Sequence, residues 1–406
     1  MLPAGAILYP QGCSVTLRLK LAAILALVWL LTLSGCASRP SSLPPVGQAT
    51  FSDYQRDTTR WVLQHRHFQS GNRQQELTWN TPQEWRPPGG KAAKGILLIH
   101  GLGDAPGSFS DIGPQLARQG FLVRTLLLPG HGTRPEDLIG VSIDDWRRVV
   151  NEQAAILQRD VAQVWLGGFS TGGNLALEYG IEHPQVAGLL LFSPAIKSNV
   201  SFDFVTPLLA VFTDWLREPR PGYPQQRATR YMMVPTNGFA QFYRTSASVQ
   251  QLLSRNGYSK PTLMVLTEHD SVLATISFLS QFDSTFTHPD SRLIWYGNKP
   301  ASPVLSSRVL IRPDRLPQQH ISQFSHMSVL FAPDNPLYGE HGSDRICENG
   351  QTETDYQACR AGAPVWFSDW GYRESGKIHA RLTWNPYFSW QNQIMAQVIQ
   401  PVAAAR

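Results

Sequence analysis

The sequence has few cysteines and few charges for its length. Of 406 residues, 4 are Cys and 16% are charged, which excludes a small disulfide-stapled scaffold and a disordered polyelectrolyte. The formal charge is only +5, and Lys and Arg form no run, so we expect no nucleic-acid partner. The apolar content of 42% is sufficient for a sizeable core.

Long hydrophobic runs are also scarce. The first is Leu21–Leu33, which is uncharged and directly follows Arg18 and Lys20. This run is too short to span a bilayer as a mature anchor, and it ends in small residues. The pattern predicts a cleaved export signal over residues 1–35.

The end of this segment, Leu33-Ser34-Gly35-Cys36, resembles the bacterial lipoprotein box. The resemblance implies that Cys36 is lipidated and that the protein contacts the cell-envelope membrane through a lipid anchor. No Asp follows Cys36, which implies sorting to the outer membrane. An ordinary cleaved signal is the alternative. Residues 36–50 are rich in Pro, Ser and Gly, which predicts a flexible tether.

Beyond residue 50, short continuous apolar runs alternate with helical patterns, which predicts an α/β fold with a mostly parallel central sheet and helices on both faces. The predicted strands are Gly95–Ile99, Phe121–Leu128, Val161–Gly167, Val186–Phe192, Thr262–Thr267 and Leu293–Tyr296. The predicted helices are Phe109–Gln119, Ser142–Arg159, Thr171–His183, Ala274–Phe282 and Tyr387–Ile399. A stretch at about 197–257 interrupts the alternation, and we interpret it as a cap over the sheet.

A nucleophile is predicted at Ser170. The pentapeptide Gly168-Phe169-Ser170-Thr171-Gly172 fits the G-x-S-x-G elbow, between a predicted strand and a predicted helix. The glycines are needed because the serine must occupy a tight, strained turn. A glycine-rich turn without chemistry is the alternative.

A serine hydroxyl needs a base, and the base needs a carboxylate to orient it. We predict Asp270 as the acid, because it lies three residues past a predicted strand, with Glu268 as the rival. We predict His326 as the base, because it lies beyond the last predicted strand among small polar residues, with His320 as the rival.

The oxyanion hole requires two backbone N–H groups. Thr171 follows the nucleophile, and Leu102 lies in the glycine-rich turn after the first predicted strand, so these two are the expected donors. That turn lacks the Gly-Lys-Ser/Thr ending of a phosphate loop. We expect no cofactor and no metal ion.

These signals, in the order His100-Gly101, the Ser170 elbow, Asp270 and His326, resemble the α/β-hydrolase superfamily over about residues 90–335. Within it the chain is similar to the branch of monoacylglycerol lipases, lysophospholipases and small carboxylesterases, which shares the turn Pro129–Gly132. The resemblance implies an α/β-hydrolase fold with an inserted cap. Two segments depart from the pattern, 298–319 and a C-terminal segment at about 339–375.

Three classes of function follow. The favoured one is a serine hydrolase that cleaves carboxylic esters through an acyl-serine intermediate. A serine aminopeptidase would need an acidic amine pocket, but residues 197–257 hold only Asp203, Asp214 and Glu218 against seven basic residues. A non-catalytic envelope scaffold is the third class, disfavoured by the complete set of site residues.

Two expectations complete the interpretation. Cys13 and Cys36 belong to the leader and the lipid site, so Cys347 and Cys359 are predicted to form a disulfide. No obligate protein partner is expected. The substrate is expected to be a small apolar ester, because the cap concentrates apolar side chains. These are Phe202, Phe204, Leu208, Leu209, Phe212, Trp215, Phe239, Phe242 and Tyr243.

Overall fold

The computed structural model describes residues 43–219, 223–300 and 305–400. The predicted signal peptide 1–35 and the predicted lipid site Cys36 lie outside these residues. The predicted tether is described from residue 43. There the N–H of Gly47 donates to Glu152 at 2.8 Å, and Arg159 donates to the carbonyl of Ala49 at 2.5 Å.

An eight-stranded sheet forms the centre of the protein. Its order is β1-β3-β2-β4-β5-β6-β7-β8, and every pair is parallel except β1 with β3. The strands are β1 Glu84–Trp85, β2 Lys94–Ile99, β3 Phe121–Leu126, β4 Gln163–Phe169, β5 Leu189–Phe192, β6 Thr262–Thr267, β7 Arg292–Tyr296 and β8 Val309–Arg312. A separate parallel pair joins β9 Trp366–Ser368 to β10 His379–Arg381.

The described part of the chain contains ten α-helices. They are α1 Phe51–His65, α2 Arg73–Trp79, α3 Ile112–Arg118, α4 Ile143–Asp160, α5 Thr171–Glu182, α6 Thr206–Phe212, α7 Thr236–Asn256, α8 Ile276–Thr285, α9 Glu353–Arg360 and α10 Phe388–Ile399. All five predicted helices and all six predicted strands are present, most of them with one or both ends shifted by up to three residues. Ser142 caps α4 with a reciprocal capping box to Asp145.

The sheet is buried on both faces. Along β2, Leu97 and Ile99 belong to one apolar cluster, which includes residues of α4 and α5. Ile96 and Leu98 belong to another, which includes residues of α3 and α10. Since successive strand residues point to opposite faces, the continuous apolar run is explained by helices on both sides. This is the α/β-hydrolase fold that the sequence predicts.

The sheet extends beyond Leu293–Tyr296, the last predicted strand. A further edge strand, β8, pairs with β7 in register from Val309 to Arg312. It lies inside segment 298–319 and is short, with a burial pattern that falls off along the strand. An edge strand covered on one side does not need the continuous apolar run that identifies the central strands.

Between β5 and β6 the chain forms α6 and α7. The second of these helices packs beside the sheet, where Thr245 accepts from Asn174 of α5 at 3.1 Å and Ser248 donates to Glu178 at 2.5 Å. A buried ion pair binds the segment that precedes α7. Arg66, bonded to Glu76 at 2.8 Å, also donates to the carbonyls of Arg227 and Ala228.

Candidate active site

Ser170 lies at the carboxyl end of β4, directly before α5. Its backbone has φ 54° and ψ −121°, and its side chain is buried. A Cβ atom added to Gly168 would lie 2.2 Å from the carbonyl oxygen of Gly172, and one added to Gly172 would lie 2.0 Å from that of Ile99. The strained serine therefore requires glycine at both flanking positions, as the motif predicts.

Asp270 and His326 are brought together from loops 56 residues apart in sequence. The Nδ1 of His326 lies 2.8 Å from the Oδ2 of Asp270, and both side chains are buried. The other oxygen, Oδ1, accepts from the N–H groups of Val272 and Leu273, each at 2.9 Å. Since a carboxylate only accepts, Nδ1 carries the proton and Nε2 is left to act as a base.

The two rival residues lie elsewhere. Glu268 accepts from the backbone N–H of Asn298 at 2.5 Å. His320 is exposed, and its ring packs against Trp366 with centroids 5.3 Å apart. Among the described residues, neither rival forms a hydrogen bond or an ion pair with Asp270 or His326.

The acid–base pair lies next to the nucleophile elbow. The ring of His326 packs against Phe169, the residue before Ser170, with centroids 5.0 Å apart. Since β2, β4, β6 and β8 are parallel, their carboxyl ends meet at one edge of the sheet. The loops that carry Leu102, Ser170, Asp270 and His326 follow these strands in that order.

The two expected oxyanion donors are unbonded. Within the described ranges, no acceptor contacts the backbone N–H of Leu102 or of Thr171. Thr171 is the first residue of α5, so its N–H is among those that a helix leaves without an internal partner. Neither N–H group therefore has a hydrogen-bond partner among the described residues.

Two further histidines hold the Leu102 loop in place. His131 accepts at Nε2 from the N–H of Gly103, and His100 accepts at Nε2 from the N–H of Leu128, both at 3.0 Å. Burial lowers the pKa of His131 to about 4 and holds the pKa of His100 well below its usual value. Both rings are therefore neutral at pH 7, as an accepting nitrogen requires. The His-Gly and Pro-Gly-His-Gly motifs are the sequence signals that mark these two histidines.

A second charged pair adjoins the nucleophile. Asp104 is buried, and burial raises the pKa of its carboxyl group. A Cβ atom on Gly101 would lie 3.1 Å from the Cβ of Ser170 and 3.2 Å from Oδ2 of Asp104, so both border the same small space. Arg230, from the cap, places Nη2 3.8 Å from Oδ1 of Asp104. No motif in the sequence pointed to this pair.

The C-terminal segment supports the acid loop. Asp369 accepts from the N–H of Ser271 at 2.6 Å and from its hydroxyl at 3.2 Å, next to Asp270. The structure joins Cys347 to Cys359, as predicted. This segment, which departs from the family pattern, is thus part of the surroundings of the site.

One group of side chains in the described ranges has the spacing of metal ligands. Glu268, His269 and Asp314 bring ligand-type atoms within 4.8 Å of one another. His269 is bonded to Asp314 at 2.5 Å, which raises the pKa of His269. We interpret this group as an ion pair beside the acid loop.

The apolar side chains of the cap are divided between core and solvent. Phe242 is buried, whereas Phe202, Phe204, Leu208 and Phe212 are 56–76% exposed. In the described ranges, no helix is both long enough and apolar enough to cross a bilayer. The exposed group lies on and just before α6.

The comparisons with known proteins agree with the fold. Residues 90–237 match the family described as "Serine aminopeptidase, S33". The chain is 27% identical to a thermostable monoacylglycerol lipase of a Bacillus species over 186 residues, which cover 44% of this chain and 71% of the relative. It is 24% identical to a carboxylesterase of Bacillus subtilis over 224 residues, 53% of this chain and 87% of the relative.

Among solved structures, a soluble variant of monoglyceride lipase from Saccharomyces cerevisiae is 18% identical, with a TM-score of 0.44. The alignment covers 53% of this chain and 81% of that one. The two Bacillus relatives are named a lipase and a carboxylesterase. The family match includes Ser170 but ends before Asp270, His326 and the C-terminal segment.

Proposed function

We propose that this protein is a serine hydrolase that cleaves carboxylic esters through an acyl-serine intermediate, with Ser170, Asp270 and His326 as its catalytic triad. The observation that carries the proposal is the His326–Asp270 bond of 2.8 Å beside the strained elbow of Ser170. The contact of the His326 ring with Phe169 places the imidazole beside the elbow, as a serine–histidine pair requires.

The proposed reaction has two steps. His326 takes the proton of Ser170 at Nε2 while Oγ attacks the ester carbonyl, and the oxyanion that forms accepts from the N–H groups of Leu102 and Thr171. The leaving alcohol takes the proton from His326 as the C–O bond breaks. Water, deprotonated by the same imidazole, then releases the acid and restores Ser170.

An apolar acyl chain is the proposed substrate feature. It is supported by the lipase and esterase relatives and by the exposed apolar residues of α6. Each buried methylene contributes about 0.8 kcal/mol. Hydrolysis of p-nitrophenyl esters by the full-length protein in detergent should therefore rise in kcat/KM from two carbons to medium length.

A serine aminopeptidase is the second candidate, because the matching family carries that description. Its substrate has a free amine, and the cap contains more basic than acidic residues, which disfavours it. Aminoacyl p-nitroanilides assayed beside the ester series separate the two. A flat ester profile together with cleavage of the anilides would replace the esterase proposal by the peptidase one.

We also propose that Cys36 anchors the protein to a membrane of the bacterial cell envelope. The support is the Leu33–Cys36 sequence alone. Full-length protein extracted in Triton should partition into the detergent phase, and a Cys36→Ser variant should partition into water. Equal partitioning of both into water would remove the anchor.

A further inference from the structure

A cleft of about 560 Å³ separates the cap from the C-terminal segment. Arg217, Arg230 and Tyr231 line it on the cap side, and Asn349, Trp370 and Arg381 line it on the other side. None of the sequence motifs pointed to this cleft. Half of its wall belongs to the segment that lies beyond the family match.

The cleft adjoins the proposed active site. The guanidinium of Arg230 contacts the sulfur of Met327, the residue after His326. The backbone N–H of Tyr231 donates to the carbonyl of Gly103 at 2.6 Å, in the same loop as Leu102. Arg230 and Tyr231, which line the cleft, thus contact the loops that carry His326 and Leu102.

Arg381 presents an unpaired cation to the cleft. Its Nε donates to Oδ1 of Asn349 at 2.8 Å. Across the described ranges, no carboxylate lies within 4.0 Å of its guanidinium, and Nη1 and Nη2 make no hydrogen bond. Nη1 and Nη2 can donate two parallel hydrogen bonds to one carboxylate or phosphate.

The acidic groups nearest to Arg381 are engaged with other partners. Asp369 accepts both hydrogen bonds from Ser271. Glu348 is paired with Arg227 and accepts from the hydroxyl of Tyr356. Burial lowers the pKa of Arg381 to about 10, with the charge of Asp369 opposing and that of Arg230 reinforcing the shift. The two arginines therefore repel each other across the cleft.

Arg381 is also held rigidly. Its backbone N–H donates to Ile346 at 2.9 Å, next to the Cys347–Cys359 disulfide. Its partner Asn349 is buried and donates to Ser368 at 2.9 Å and to the carbonyl of Asp369 at 3.1 Å. A guanidinium fixed in this way loses little conformational entropy when it binds a ligand.

We propose that this cleft binds an anionic group, a carboxylate or a phosphate, that the ester substrate carries, and that Arg230 and Arg381 are its ligands. The inference rests on the proposed esterase function and assigns a substrate class to it. The exposed mouth of the cleft carries Glu218 and Glu353 together with Arg217. The anion is therefore bound away from this mouth, at Arg230 and Arg381.

The test compares two matched pairs of esters. One pair places the charge on the acyl side: the p-nitrophenyl monoester of glutaric acid against p-nitrophenyl pentanoate. The other places it on the alcohol side: 1-octanoylglycerol 3-phosphate against 1-octanoylglycerol. For each pair, the ratio of kcat/KM for the anionic to the neutral ester is measured with the full-length protein in detergent. The pair that shows the preference identifies where the substrate carries its charge.

The variants are Arg230→Gln and Arg381→Gln, with Arg345→Gln as the matched control. Arg345 is an exposed arginine of the same segment, outside the cleft. We expect the wild-type ratio to fall about tenfold to a hundredfold in each cleft variant, since a charged hydrogen-bonded contact is lost. The control should keep the wild-type ratio. If a Gln variant does not fold, Arg381→Lys retains the charge without the fork, and the ratio should fall by a smaller factor.

Fluorophosphonate labelling of Ser170 and the Tm of each variant report on the integrity of the site. Equal ratios in wild type and in labelled, folded cleft variants would overturn the anionic subsite and leave the esterase proposal intact. Absence of hydrolysis of all four esters by the wild-type protein would instead overturn the esterase proposal. The two failures are therefore distinguishable.

Discussion

The imidazole of His131 accepts a 3.0 Å hydrogen bond at Nε2 from the backbone N–H of Gly103, 28 residues earlier in the chain. The same ring stacks on Tyr231 of the cap, with centroids 6.0 Å apart. One buried histidine thus connects the loop of Leu102 to the cap. Its titration therefore bears on both stability and the oxyanion loop.

Acid should destabilise the protein through His131. Burial lowers its pKa to about 4. Between pH 6.5 and 4, His131 is therefore protonated in the unfolded chain and neutral in the folded chain. The contribution of His131 to the free energy of unfolding is fully present above pH 6.5. It falls as the pH drops, by up to about 3 kcal/mol. A His131→Phe variant should show a shallower loss in urea unfolding across this pH range. The control is His341→Gln, at an exposed position, which should keep the wild-type dependence of the free energy of unfolding on pH. An unchanged pH dependence in His131→Phe would contradict the role of His131 in acid destabilisation.

Ser170→Ala should lower kcat for ester hydrolysis by about a million-fold, by analogy with triad deletions in serine proteases. Fluorophosphonate labelling should disappear at the same time. Ser201→Ala, at an exposed cap position, is the control and should retain both signals. Labelling of Ser170→Ala at the wild-type rate would show that another residue is the nucleophile.

Asp270→Asn should lower kcat by about 10⁴-fold, because an amide does not hold the imidazole of His326 in the tautomer that leaves Nε2 free. Glu268→Gln should have little effect, since Glu268 bonds to Asn298. The comparison of the two variants by steady-state kinetics decides between the two acids. A larger loss in Glu268→Gln is the outcome that rejects Asp270.

Replacing both Cys347 and Cys359 by Ser should reduce the free energy of unfolding by about 3 kcal/mol, in the chain-entropy account of a short closed loop. Because the loop supports Asn349 and Arg381, the double variant should also lose preference for anionic esters. Urea unfolding with and without reductant gives the first readout. Peptide mass spectrometry that finds both thiols free in the unreduced wild-type protein would refute the bridge.

The buried pair Arg66–Glu76 should matter far more than the exposed pair Arg56–Asp53. Glu76→Ala leaves the guanidinium of Arg66 buried without its partner, which costs about 3–5 kcal/mol. Asp53→Ala removes an exposed partner and should cost less than about 1 kcal/mol. Urea unfolding of both variants tests this difference, and equal losses would contradict it.

Local sequence signals were sufficient for the elements that bury a continuous apolar face. The strand Thr262–Thr267 was predicted with its exact limits. The two glycines of the elbow could also be interpreted from the sequence, because neighbouring backbone atoms exclude a side chain at both positions. Such features depend on contacts within a few residues or on one repeated period.

The sequence by itself determined the α/β-hydrolase fold and the candidate residues Ser170, Asp270 and His326. The tertiary structure alone brought His326 to Asp270 rather than to Glu268, and it added β8, Asp104 and the arginines of the cleft. These features arise from segments that are far apart in the chain and meet only after the sheet has formed. Single charged residues such as Arg230 and Arg381 have no period and no motif, so their significance depends entirely on the neighbours that folding provides.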